Sequence, residues 1–220
     1  MSHEPASPRV TVRRGTHHAN YDRDAMRRIL REGHVAHVGV NTPDGPLVLP
    51  MAYGITENTM YLHGALANSL LKAGAGTEVC ATVTLLDGLV FAKTPFNHSM
   101  NYRCVVVRGA ARAVDNETER LEALRIISDH VVANWDTTRP PNASELRATR
   151  VIALPLDEMS AKTGDGMPTN DETDSGAPYW TGIVPLVAHW GEPVTAPDSG
   201  AATPAAIAGL AGTRISPSRG

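Results

Sequence analysis

The sequence predicts a mostly β domain, a small antiparallel β-barrel with peripheral helices. Short runs rich in Val, Thr, Leu and Tyr recur between residues 34 and 163, punctuated by Asp44-Gly45 and Asp87-Gly88, the dipeptide favoured in tight hairpins. Consecutive runs are joined by turns of two to four residues, too short for the crossover that a parallel sheet requires. Only two segments of good length carry helical periodicity, and antiparallel strands that close on themselves remove exposed sheet edges.

The elements follow in order. Residues 1–20, polar and rich in Pro, Arg and His, are expected as a loose arm. Asp22 then caps a helix with Ala25, Met26, Ile29 and Leu30 on one face and Gly33 at its end. Residues 34–40, 47–56 and 59–63 read as a meander of strands. A short helix over 67–73 stops at Gly74, and the Gly74-Ala75-Gly76 tail lacks the order of a dinucleotide loop. Residues 78–86 and 89–94 read as a hairpin across Asp87-Gly88, and 102–114 as a long valine-rich strand. Asn116 and Glu119 form a capping box for a helix to about residue 132, with Leu121, Leu124, Ile127 and Val131 along one face. A helical turn at 144–149, strands at 151–156 and 159–163, an acidic loop at 164–176 and a last strand near 187–190 complete a domain over 21–190. Residues 191–220, dominated by Ala, Pro, Gly and Ser, are expected as a disordered tail.

A chain of 220 residues can bury a sizeable core, and 42% apolar with 20% charged residues is ordinary for a globular protein. The net charge of -3 gives no electrostatic case for nucleic acid or an anionic membrane. No apolar run is long enough to span a bilayer, and the first residues lack the order of a secretory signal. Cys80 and Cys104 lie in apolar runs, which favours free thiols in a reducing cytoplasm over the alternative of a disulfide. Metal-ligand spacings, a Walker sequence and a G-x-S-x-G elbow are all absent.

Two segments carry candidate chemistry. His63 and Gly64 end a strand and lead into Asn68, Ser69 and Lys72, a pattern suited to a phosphate at a helix start. An ordinary capped strand-to-helix turn uses the same residues. Residues 96–103 crowd His98, Ser99, Asn101 and Arg103 at the entry to the long strand. They read either as a polar cleft edge or as a solvated loop.

Taken in order, Arg13-Arg14-Gly15, residues 34–40, Tyr61 to Ala65, Thr82 to Leu89, His98 to Arg103 and Pro178-x-Trp180-x-Gly182 resemble the pyridoxamine 5'-phosphate oxidase-like, FMN-binding split-barrel superfamily. The similarity is greatest to its flavin-nucleotide-binding and nitroimidazole-resistance branch and covers residues 10–190. The chain departs from close relatives in having Asn97-His98 for a His-His pair and Cys104 for a serine. The resemblance implies a six-stranded split barrel that forms a homodimer with one FMN in each of two interface clefts. On this basis His63, Gly64, Asn68, Ser69 and Lys72 hold the ribityl phosphate. Thr82, Val83 and Thr84, with Pro50 and Met51, border the flavin ring. His98 and Asn101 face the cleft, and Trp180 walls the ring or covers a substrate. The implied activity is reduction of a small nitro or quinone-like molecule, with His63 as proton donor and Arg103 orienting the substrate. The rivals are a flavin carrier or sensor without turnover, and a split barrel that prefers deazaflavin or haem.

Overall fold

A computed structural model describes residues 4–215. The chain opens with a 3₁₀ turn at Pro8–Val10, a short strand β1 (Ala19–Asn20) and helix α1 (Arg23–Glu32). Strands β2 (Ala36–Thr42), β3 (Gly45–Met51), β4 (Tyr53–Ile55) and β5 (Thr59–Ala65) follow as a meander. Helix α2 (Ser69–Gly74) precedes two long strands, β6 (Glu78–Phe91) and β7 (Ser99–Ala110), and the short β8 (Arg112–Ala113). Helices α3 (Glu117–Val131) and α4 (Ala143–Ala148), then β9 (Thr149–Pro155) and β10 (Glu158–Gly164), complete the barrel. β11 (Gly182–Pro185) and the one-turn α5 (Ala205–Ala208) belong to a C-terminal extension.

Two antiparallel sheets result. Seven strands form the first, ordered β1-β10-β7-β6-β2-β3, with β11 also on β6; four form the second, ordered β4-β5-β9-β8. Single residues carry the chain between them: Ala52 separates β3 from β4, and Ala111 separates β7 from β8. The core fills the space between the sheets with Val38, Met60, Leu62, Leu71, Val105, Ile152 and Leu154. Each such side chain contributes about 1.5–3 kcal/mol by leaving water. The mostly β architecture is as expected, but the first sheet is larger than a six-stranded barrel and its two ends do not pair.

The expected hairpin across Asp87-Gly88 is not formed. β6 runs through it as one strand with a bulge between Leu86 and Gly88, and β7 pairs along both halves. A β-carbon on Gly88 would lie 2.9 Å from the Val184 carbonyl oxygen. The glycine therefore admits β11 rather than a turn. A bulge and a tight turn call for the same residues.

The helices start where the sequence places their caps. Asp22 accepts from the Ala25 amide at 2.7 Å and Asn116 from the Glu119 amide at 2.9 Å. The box at Asn116 is only half formed, because the Glu119 carboxylate pairs with Arg112; the complete box is at Asn142 and Glu145. On α3 the buried residues are Ala123 and Ile127, while Leu121 and Val131 are exposed, contrary to the expected stripe. A β-carbon on Gly54 would meet the Ile126 carbonyl oxygen at 2.6 Å, so α3 lies with its backbone against β4 and presents its small side.

The N-terminal segment is laid against the barrel instead of hanging loose. Val10 is buried, Arg9 pairs with Glu78 and Glu158, and Ala19 and Asn20 pair with Lys162 and Ala161. Within the expected tail, residues 191–215 are mostly exposed, and a return strand segment ties Ile215 to Ala188 at 3.0 Å. Residues 1–3 of the arm and 216–220 of the tail lie outside the described residues.

Candidate functional site

The expected site residues fall into three places on the barrel. The first is the junction of β5 with α2. Asn68 caps the helix, accepting from the Leu71 amide at 3.1 Å, while Ser69 and Lys72 are exposed. A β-carbon on Gly64 would meet Asn68 Nδ2 at 3.1 Å and Leu71 at 3.0 Å, so the Gly64 face of the sheet is the face α2 covers. Directly across from Gly64 stands Arg150 of β9. Its half-buried side chain has Nε shielded from solvent with no hydrogen-bond partner. Arg150 thus lies on the sheet face that α2 covers, while Ser69 opens that helix and Lys72 stands in its last turn.

His63 is not in that group. Side chains alternate along a strand, and His63 stands opposite Val151, on the face where Val151, Ala153 and Tyr61 pack with Ala123 of α3. Its Nδ1 is buried without a partner, and burial pushes its pKa below the usual imidazole range. The neutral ring predominates at neutral pH.

The second place is a strip on the outer face of the first sheet. Pro50, His37, Thr82, Val106 and Ser160 lie side by side across five strands. Pro50 and His37 are exposed and Thr82 is half-buried. His37, between two expected ring-bordering residues, had no distinguishing signal in the sequence. Met51 and Val83 point the other way, into the core.

The third place is a cavity of about 500 Å³ at one end of the barrel, reached by Thr84, Asn101 and Arg103. Arg103 is 5% exposed. Its guanidinium grips Asp87 through Nε at 2.9 Å and Nη2 at 2.8 Å, and Nη1 donates to Glu32 at the end of α1. Those carboxylates hold Arg103 protonated above its ordinary range. The residue fastens α1 and the β6 bulge to β7. Beyond that end, His98 and Trp180 gather on Phe91, with ring centroids at 5.3 and 6.0 Å, and His98 Nε2 lies 3.2 Å from the Ala92 carbonyl oxygen.

Among the described residues no helix is long and apolar enough to cross a membrane, and no group of three or more metal-ligating side chains is gathered.

The family profile described as pyridoxamine 5'-phosphate oxidase matches residues 22–163. The chain belongs to that family. Among solved structures, the flavocytochrome Anf3 from Azotobacter vinelandii is 33% identical, with a TM-score of 0.89 over 94% of this chain and 98% of its own. An FAD and heme binding protein from Mycobacterium smegmatis is 27% identical, with a TM-score of 0.85 over 91% of this chain and 100% of its own. A Bacteroides thetaiotaomicron protein named for 5-nitroimidazole antibiotic resistance shares the fold at 24% identity, with a TM-score of 0.54 over 66% of this chain and 85% of its own. No curated protein sequence matches. The family profile ends at residue 163, whereas the first two neighbours cover too much of the chain to exclude the extension beyond it.

Proposed function

We propose that this family member is a flavin-dependent oxidoreductase that binds FMN by its phosphate at the α2 cradle and reduces a small organic molecule. The observation that carries the reading is Arg150. A shielded guanidinium nitrogen without a partner is costly, and an anion with several acceptor oxygens would satisfy it together with Ser69 and Lys72. The side chains fit a phosphate, and the outer strip of Pro50, His37 and Thr82 offers an exposed, uncharged-to-weakly-basic bed for a ring. A bound flavin would supply hydride or single-electron transfer. The protein's own part is to hold the phosphate, to bed the ring, and through His37 to place an imidazole beside it. His63, turned toward α3, is better suited to packing than to proton donation, and Arg103 positions the β6 bulge rather than touching substrate.

The working unit in this reading is a homodimer. Val184, Leu89 and Met100 are direct cross-strand neighbours on β11, β6 and β7, and are 50, 45 and 51% exposed. A continuous apolar row of this kind is the sort of surface that a second copy covers.

A second reading, a flavohaem protein using FAD, is favoured by one observation: of two neighbours that cover more than nine-tenths of the chain, one is named a flavocytochrome and the other an FAD and heme binding protein. Haem iron requires His, Cys, Met or Tyr, and none of these lines the 500 Å³ cavity, so that cavity does not fit a haem.

The test is flavin titration of the apoprotein. Ser69→Ala with Lys72→Ala, and separately Arg150→Ala, are expected to weaken FMN binding by about tenfold or more, since charge-assisted contacts to phosphate are each worth about 1.5–3 kcal/mol. Unchanged titration in both variants would move the phosphate elsewhere. Tighter binding of FAD than FMN would favour the second reading.

A further inference from the structure

The cavity at the end of the barrel is closed by the part of the chain that lies outside the family domain. Its floor comes from β6, β7 and β10, and its roof from residues 183–188 and 214–215 of the extension. The β11–β6 pairing and a hydrogen bond from the Leu186 amide to the Asp87 carbonyl at 3.0 Å hold that roof to the floor, and bonds from Ile215 to Ala188 and from Trp190 to Thr213, each 3.0 Å, tie the return segment to the roof. Without the extension Thr84, Asn101 and Thr163 would stand on an open sheet end.

The lining specifies what the cavity can take. Leu85, Ile183, Leu186, Val187 and Ile215 make most of its wall apolar. Its charged groups balance, Asp87 and Asp165 against Arg103 and Arg214, and the Arg103 cation is already matched by Asp87 and Glu32. A phosphate or carboxylate would meet no uncommitted charge on Arg103 and a lining with no net positive charge to attract it. The Thr84 and Asn101 side chains make no hydrogen bond within the described residues, so two neutral donor-acceptor groups remain for a ligand. Nothing in the lining can ligate a metal through His or Cys. A volume of about 500 Å³ is in the range of small-molecule sites.

We propose that this cavity is a second ligand site, separate from the α2 cradle, that binds a neutral, largely apolar organic molecule carrying ketone or hydroxyl groups, such as a two-ring quinone. The apolar wall favours a hydrophobic molecule, and the two polar side chains select a carbonyl-bearing one over a pure hydrocarbon. This site stands independently of whether the cradle holds a flavin.

The probe is menadione, titrated into the purified full chain by calorimetry, with a sulfonated naphthoquinone as the charged control. Menadione is expected to bind with one site per chain, and the sulfonate about tenfold more weakly or worse. Val187→Trp, which fills the cavity from the peripheral roof, is expected to weaken menadione binding by about tenfold or more while FMN titration stays unchanged. No menadione binding, equal binding of the sulfonate, or unchanged affinity in Val187→Trp would each overturn the proposal. If Val187→Trp does not fold, amide exchange on the unmutated chain decides. Menadione should slow exchange at Leu186 and Ile215, and absence of protection there overturns the site. Failure of FMN to bind, with menadione still bound, would sink the flavin reading alone.

Discussion

The Tyr53 hydroxyl is fully buried and lies 2.6 Å from the Leu30 carbonyl oxygen and 2.9 Å from that of Gly33. Those are carbonyls at the C-terminal end of α1, which an isolated helix leaves unsatisfied. His130 Nε2 donates to the same Gly33 oxygen at 2.8 Å. Tyr53→Phe removes the donor and leaves buried acceptors, so a loss of about 1–3 kcal/mol is expected in urea unfolding, with the slope unchanged. His130 and His63 add a pH dependence. Burial lowers both pKa values, so the unfolded chain takes up protons first as pH falls. Their contribution is complete above the unfolded imidazole value of about 6.5 and is lost as pH drops through the lower folded values. Melting temperature should therefore fall from about pH 7 to about pH 5, and His130→Gln, whose amide can still donate to Gly33, should flatten that fall. A pH profile no flatter in His130→Gln would assign the slope to other groups. At this scale the sequence showed Arg103 as unusual but not its partners, because Glu32 and Asp87 are far from it along the chain and meet it only across the fold. Arg150 carried no local signal either. It stands out only once β9 is set against β5 and its Nε is found alone.

Among the elements, what is local was legible. Asp22, Asn68 and Asn116 cap three helices because a short acceptor side chain before a helix can reach an amide three residues on, wherever the helix later packs. Strand identity in the β2–β5 meander followed from alternation, and burial along β2 and β5 does alternate. What depends on a partner was not legible. Asp87-Gly88 reads as a turn until β7 is found pairing on both sides of it. The face of α3 was misjudged for a similar reason: the close approach at Gly54 is set by β4, and it favours Ala123 over Leu121. The cradle divides the same way. Asn68, Ser69 and Lys72 are neighbours in sequence, whereas Arg150 is set opposite Gly64, beside α2, only through the β5–β9 pairing.

For the whole molecule, the family domain and the extension have distinct roles. The domain supplies two sheets, the β5–α2 junction proposed as a phosphate cradle and an outer strip; the extension roofs the cavity and adds β11 beside β6. β11 also widens the apolar row of Leu89 and Met100 to Val184. If that row meets its copy, Leu89→Lys places a charge at the centre of the interface, and sedimentation equilibrium should show dimer for the unmutated chain and a shift toward monomer for the variant. A monomer in both would remove the homodimer from the account. Residues 191–220 of the extension read from composition as a tail, since Ala, Pro and Gly dominate them. Its order comes from a few backbone hydrogen bonds to β6 and within its own return segment, which composition does not reveal.

The claim on which the rest depends is that the α2 cradle holds a flavin, and the absorption spectrum of the protein as purified addresses it most directly. The account predicts a yellow protein with flavin bands that bleach on reduction, a released chromophore identified as FMN, and loss of both colour and bands in Arg150→Ala. A colourless chain that takes up neither FMN nor FAD when they are supplied would contradict it.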